Sequence, residues 1–177
     1  MEDHEVVPVE RTTVRSTMAE EIMHAVPAIP ESLAELIAYS KDFGCAADIA
    51  TAAAFCGVGD VRRVDEADRV IQSDAYTRLV DSGSGSDFVI YMNIFHAFEK
   101  HTSVNELASW LNTVSLSREI MEKVKVQRTA LLVVLQRHGI KGDTQSDSEY
   151  VRGVVAEGLL GQGLYISTGK GKYEWIS

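Results

Sequence analysis

A short glycine- and lysine-containing run near the C-terminus has the residue types that bind phosphate. This run, Thr168-Gly-Lys-Gly-Lys172, lacks the G-x-x-x-x-G-K-[ST] spacing of a phosphate-binding loop. A predicted strand follows it, where a phosphate site needs a helix N-terminus with converging backbone N–H groups. The run therefore predicts the turn of a β-hairpin rather than a nucleotide site.

The histidine, aspartate and serine residues, which often carry metal or acyl-transfer chemistry, are scattered along this sequence. The histidines form no H-x-x-x-H or H-E-x-x-H unit, and the aspartates form no D-x-D-x-D-G loop. No G-x-S-x-G elbow occurs. We therefore expect no catalytic residue, no metal site and no cofactor site, and we interpret each histidine as structural.

The sequence predicts an intracellular protein whose negative electrostatic field repels nucleic acid. The chain of 177 residues carries a formal net charge of −9, which opposes non-specific binding to a phosphate backbone. Binding to RNA would need a local basic patch or a basic partner. Cys45 and Cys56 are expected to be reduced. The sequence has neither a secretory signal nor an apolar run of the ~20 residues that span a membrane, so we expect a nuclear or cytoplasmic location and no membrane partner.

The elements that must position any functional residue are mainly helices. Met18–Met23 predicts no more than a short helical turn, and Ser32 with Glu35 has the spacing of a capping box that starts a helix. Gly44 is suited to end that helix, and an alanine-rich helix is expected over residues 45–55. Residues 61–80 are predicted to be partly helical, and the following Ser-Gly repeat to residue 86 is predicted to be a flexible loop.

The second half of the chain predicts a helix pair, a long amphipathic helix and a final short helix. The pair spans Asp87–Ser117, and Ser103 with Glu106 caps its second member. Apolar residues at helical spacing predict the long helix from Ser117 to about residue 138, closed by Gly139. Ser146 with Glu149 is the predicted cap of the last helix, and a β-hairpin is expected after it, over residues 164–176.

Two stretches of the helix pair resemble the helicase-associated region of DEAH-box RNA helicases. Met92-Asn-Ile-Phe-His-Ala-Phe98, preceded by Asp87, matches that region's N-[VI]-[YF]-x-A-[WF] helix core. Trp110-Leu-Asn-Thr-Val-Ser-Leu-Ser117 matches its aromatic-leucine-asparagine run and the serine-leucine restart that follows. The resemblance covers roughly residues 24 to 176 in register, including the aromatic-Gly-Cys turn at Phe43-Gly-Cys45.

The resemblance implies a mainly α fold in three parts. Residues 1–30 would be a tail or winged-helix remnant, residues 31–161 a ratchet-like helical bundle, and residues 162–177 a β-hairpin that begins a truncated OB-fold. The sequence contains no counterpart of the family's two motor domains. ATP and Mg would therefore act only through those missing domains, and the chain would be an ATP-dependent RNA helicase only as part of a longer protein.

The resemblance also implies which residues would meet RNA, because in the family the bundle lies across the RNA channel from the motor domains. The N-terminus of the helix that begins near Ser117 would bind the backbone, since helix N-termini present unpaired N–H groups and a partial positive charge. The predicted RNA-binding residues are Asn112, Thr113, Ser115, Ser117 and Arg118. In the alternative interpretation, these are ordinary loop and N-cap residues.

Two hypotheses of function follow. In the first, the chain is an accessory domain of a DEAH-box RNA helicase and contributes to the RNA channel and to docking of the motor domains. In the second, it is a non-catalytic protein-interaction module, derived from a helicase and part of a ribonucleoprotein assembly. Phe88 and Val114, which replace the family's histidine and arginine, favour the second hypothesis together with the acidic charge. Asn112 and Ser115-Leu116 favour the first.

Overall fold

The computed structural model describes residues 16–62, 73–81, 85–142, 146–161, 165–169 and 172–175. Most of them lie in helices, as the sequence predicts. In chain order, the helices and strands are α1 (Thr17–Ala25), α2 (Glu31–Tyr39), a 3-10 helix (Ser40–Phe43), α3 (Ala46–Ala53), α4 (Asp74–Asp81), α5 (Asp87–Glu99), α6 (Val104–Val114), α7 (Arg118–Arg137), α8 (Ser148–Gly161), β1 (Tyr165–Gly169) and β2 (Lys172–Trp175).

The predicted short turn at Met18–Met23 is wrong, because α1 is a complete helix that packs against α2 and α7. Ser16 starts it: its hydroxyl accepts from the Ala19 N–H at 3.0 Å. The N–H of Ser16 donates in turn to the Glu35 carboxylate of α2 at 3.2 Å. Burial of its apolar face on two neighbours stabilises this helix, which is too short to be stable alone.

The capping box predicted at Ser32 and Glu35 is also wrong. Helix α2 begins two residues earlier than that box predicts, with Pro30 as its N-cap and no side-chain capping bond. The Pro30 carbonyl accepts from the N–H groups of Leu33 and Ala34, both at 3.0 Å. Glu35 is used instead for the contact with Ser16, so a tertiary hydrogen bond replaces the local one.

Helix α3 lies at the centre of the bundle and contacts α2, α5, α7 and α8. All eight of its residues are buried. Alanine allows this close approach because its side chain adds little bulk on any side, as the sequence predicts. Gly44 precedes the helix with φ 71°, the left-handed conformation expected of it.

The long amphipathic helix is confirmed as α7, which buries one stripe of apolar side chains against the core and is followed by Gly139 at φ 76°. The last helix, α8, does not begin at the predicted cap. The Asp147 carboxylate accepts from the N–H groups of Glu149 and Tyr150, and Ser146 makes a tertiary bond. The nearer carboxylate thus replaces the predicted serine as the cap.

The C-terminal hairpin is present as two antiparallel strands, with Tyr165 paired to Trp175 and Ser167 to Tyr173. The described sheet has these two strands alone, so its assignment to an OB-fold has no support there. Predictions for residues 1–15, 63–72, 82–84, 143–145, 162–164, 170–171 and 176–177 lie outside the described residues. The winged-helix remnant and the domain boundaries at 30 and 161 stay predictions.

Candidate nucleic-acid interface

The predicted RNA-binding residues lie in and around the turn that joins α6 to α7. Ser115 adopts the left-handed conformation, with φ 55° and ψ 42°. Its N–H donates to the Asn112 carbonyl at 3.3 Å, and the N–H of Leu116 donates to the Leu111 carbonyl at 3.0 Å. These two bonds form the Schellman closure of a helix C-terminus, in which glycine is the usual left-handed residue. The sharp restart seen in the sequence is therefore a turn with a defined geometry.

Contacts with earlier segments hold this turn in place. The N–H of Ser117 donates to the Val61 carbonyl at 2.8 Å, and Leu116, which is buried, forms an isolated antiparallel bridge with Arg62. The Ser73 hydroxyl donates to the Thr113 carbonyl at 2.8 Å. The turn is consequently fixed by hydrogen bonds within the protein, which need no ligand.

Helix α7 begins at this turn with Ser117 as its N-cap, as predicted. The Ser117 hydroxyl accepts from the Ile120 N–H at 3.4 Å and so uses one of the free donors of the first helical turn. The N–H groups of Arg118 and Glu119 precede that donor, and backbone donors in the first turn of a helix have no intrahelical acceptor. Together with the positive end of the helix dipole, they could receive an anion.

The structure brings three of the five predicted residues together. Asn112, Ser117 and Arg118 line a shallow cavity of about 210 Å³, with Ala108, Leu111 and Leu116 as its apolar part. The other two do not line it. Ser115 is buried, and the exposed Thr113 donates its hydroxyl to the Ser109 carbonyl at 3.0 Å.

The electrostatics of this cavity are only weakly positive. Arg118 is exposed, but Glu119 follows it directly, and the Glu119 carboxylate accepts from the Lys123 ammonium at 2.7 Å. That hydrogen bond lowers the pKa of Glu119, so the carboxylate stays charged and Lys123 is already paired. Val114, where the helicase-associated region carries arginine, is 5% exposed and belongs to the core. Arg118 thus supplies the main positive charge at the cavity.

A polar cluster between α3, α5 and α7, which runs from the buried Thr51 to the exposed Glu99, was not predicted from the sequence. The Arg128 guanidinium donates to the Thr51 hydroxyl at 2.9 Å and lies 3.6 Å from the Glu99 carboxylate. It also stacks over the Phe95 ring, 4.9 Å from the centroid. These contacts satisfy a cation that is mostly removed from water, and we interpret the cluster as structural.

Asp48, on the same helix as Thr51, is a buried carboxylate that is 1% exposed. Its carboxylate accepts from the Ser146 N–H at 3.0 Å, which ties the segment before α8 to α3. Burial raises the pKa of Asp48, and the hydrogen bonds from Ser146 offset part of that shift. In the sequence, the indication of this buried carboxylate is that Asp48 is the single acidic residue of an alanine-rich stretch.

His96 and the two cysteines lie in buried or half-buried positions. Burial lowers the pKa of His96, which favours the neutral imidazole. Both cysteines are free thiols, and burial raises the pKa of Cys45 to about 11, well above that of a reactive thiolate. Within the described ranges, no group of three or more histidine, cysteine, aspartate or glutamate residues could hold a metal ion.

No protein-family model matches the sequence, and no curated protein matches it. The resemblance to the helicase-associated region therefore stands on the residue pattern alone and stays a prediction. Of the helices described above, none is long and apolar enough to cross a membrane.

Proposed function

We propose that the chain is a non-catalytic accessory bundle of a DEAH-box RNA helicase and that its α6–α7 turn binds the RNA backbone. One observation carries this proposal. Asn112, Ser117 and Arg118 surround a single cavity at the N-terminus of α7. An amide, a hydroxyl, a guanidinium and free helix N–H groups are all donors that phosphate oxygens accept from.

The affinity expected from this arrangement is modest. Arg118 is the one exposed cation of the cavity lining, so the site neutralises few phosphates. Each neutralised phosphate of a single strand contributes a slope of about −0.7 to log K against log salt. The turn is already ordered by its own hydrogen bonds, so little conformational entropy is lost on binding. Weak, salt-sensitive binding without base specificity is therefore expected.

Fluorescence anisotropy with a labelled single-stranded RNA tests the proposal. Binding should weaken about two- to threefold between about 50 and about 200 mM salt for each phosphate that the site neutralises. Arg118→Glu should weaken binding and reduce the salt slope by about 0.7, because one phosphate contact is lost. Lys141→Glu, the same charge change at an exposed residue beyond the far end of α7, is the control and should keep most of the affinity.

Equal losses for Arg118→Glu and Lys141→Glu would mean that net charge matters and the cavity does not. No binding at low salt by a chain with the helical circular dichroism expected of the fold would contradict the proposal altogether. An ATPase assay of the chain alone should give no turnover above background.

A specific observation favours the second candidate function, a protein-interaction module in a ribonucleoprotein assembly. Val114 is buried where the helicase-associated region has arginine, and Glu119 holds Lys123 in an ion pair beside the cavity. Both reduce the positive potential at the turn. A folded chain that binds no RNA but co-purifies stoichiometrically with helicase motor domains would support this candidate over the first.

A further inference from the structure

A second cavity, of about 280 Å³, opens between α2, the end of α3, the start of α5 and the end of α8. We call it the Tyr91 pocket. Its lining is Pro30, Ser32, Leu33, Ala52, Ala53, Cys56, Asp87, Phe88, Tyr91 and Leu159. Pockets between the helices of a bundle are common ligand sites, and this volume is near the lower limit for a small organic molecule.

Most of the surface of the Tyr91 pocket is apolar. Ala52 and Ala53 lie at the end of the buried helix α3, and their small side chains leave space that larger residues would fill. Leu33 and Leu159 line it from α2 and α8. A ligand must therefore have an apolar body to displace water from this lining.

One carboxylate gives the pocket a charge. Asp87 lies in the first turn of α5, and Tyr91 lies one helical turn further on the same face. The Tyr91 ring stacks on Phe55, with ring centroids 4.5 Å apart and planes 17° from parallel, so its position is fixed. Burial raises the pKa of Tyr91, and the nearby Asp87 carboxylate raises it further.

The Arg62 guanidinium is paired with another carboxylate, that of Asp60. Arg62 lies close enough to Tyr91 to interact with it electrostatically, but its Nε donates to both oxygens of Asp60, at 2.9 and 3.1 Å. None of the lining residues is lysine or arginine. Among the described residues, no cation lies within ion-pair distance of Asp87.

From this arrangement we propose that the Tyr91 pocket binds a small organic cation with a hydrophobic body and one primary ammonium group. The body occupies the apolar lining against Ala52, Ala53 and Leu159. The ammonium pairs with the Asp87 carboxylate at the rim, beside the Tyr91 ring, whose face also attracts cations. The acidic net charge of the chain favours the approach of such a ligand.

Three probes of nearly equal shape and different charge test the proposal: benzylammonium, benzyl alcohol and benzoate. Binding is followed by chemical-shift changes of the backbone amides in the full chain. Benzylammonium should cause saturable changes at Ala52, Ala53 and Tyr91 and bind about fivefold more tightly than benzyl alcohol, as expected for a partly exposed ion pair. Benzoate should bind most weakly.

Asp87→Asn should remove the preference for the cation and leave the affinity for benzyl alcohol unchanged. Asp74→Asn, the same change in the first turn of α4, should leave all three affinities as they are. Ser32→Trp, a large residue on the pocket lining, should block all three probes while the helical circular dichroism is retained. Equal affinities for the three probes, or shifts that do not map to the pocket, would overturn the proposal.

Discussion

Gly158 of α8 offers the clearest test of how this bundle is packed. A Cβ atom at this position would lie 2.5 Å from Leu36 Cδ1 and 3.0 Å from Tyr39 Cδ1. Carbon atoms in contact are normally ~3.5–4.0 Å apart, so α8 approaches α2 more closely than an alanine allows. Leu36 is fully buried, so its Cδ1 can move aside only by repacking against neighbouring core residues. Gly158→Ala therefore overpacks the α2–α8 contact.

Gly153 is a matched control in the same helix. It is exposed, and an added Cβ would meet nothing within 4 Å. Alanine is a better helix former than glycine by about 1 kcal/mol, and this gain applies at both positions. Gly153→Ala should therefore stabilise the protein by about 1 kcal/mol. At Gly158 the overpacking cost of about 1–3 kcal/mol opposes the same gain.

Both substitutions gain the same helix propensity. The difference between the two variants in the free energy of unfolding therefore reports the packing cost at Gly158 alone. Urea unfolding followed by circular dichroism should place Gly158→Ala about 1–3 kcal/mol below Gly153→Ala in the free energy of unfolding. In thermal unfolding, each kcal/mol corresponds to a shift of about 2–4 °C in Tm for a chain of this size. Equal stabilisation by both substitutions would refute the close approach of α8 to α2.

Two further predictions concern the buried carboxylate and the left-handed serine. The folded-state pKa of Asp48 is raised, so folding takes up a proton there, and the contribution of Asp48 to the free energy of unfolding should rise as the pH falls through that raised pKa toward the ordinary value. Asp48→Asn, which keeps an acceptor for Ser146, should flatten this dependence; an unchanged dependence of the urea midpoint on pH would contradict the assignment. Ser115→Val should destabilise by about 1–2 kcal/mol, because a β-branched residue is strained at φ 55°. A midpoint equal to that of wild type would argue against the left-handed turn.

Helix starts were predictable from the sequence where the capping residue met no competition. The hydroxyls of Ser103 and Ser117 accept from the N–H three residues on, as the spacing indicates. Ser146 does not cap α8, because Asp147 stands one residue closer to the helix and its carboxylate takes the same donors. The spacing of serine and glutamate does not show whether a neighbouring side chain competes for the same N–H groups.

The polar contacts of the core were not predictable, because their partners are far apart in the chain. Arg128 and Thr51 are separated by 77 positions, and Ser146 and Asp48 by 98. Nothing in the local sequence around Arg128 distinguishes it from a residue on a solvated helix face. The amphipathic stripe of α7 was predictable because it depends on local periodicity alone.

The five residues predicted to bind RNA do not all share one surface, and the reason lies in the geometry of the α6–α7 turn. Sequence proximity placed Asn112, Thr113, Ser115, Ser117 and Arg118 in one short segment. The left-handed conformation of Ser115 then reverses the chain direction, buries that residue and leaves Thr113 outside the cavity. Three of the five side chains remain on one surface.

The same turn makes loss of RNA binding easy to interpret. Its shape depends on the Schellman bonds, on the Ser117 contact with Val61 and on the Ser73 contact with Thr113. The side chain of Arg118 takes part in none of these bonds. Arg118→Glu should therefore change the charge at the cavity and leave the backbone in place, whereas Ser115→Val strains the backbone and leaves the charge unchanged. Binding that is lost with the first variant and kept with the second would show that the turn acts through its charge.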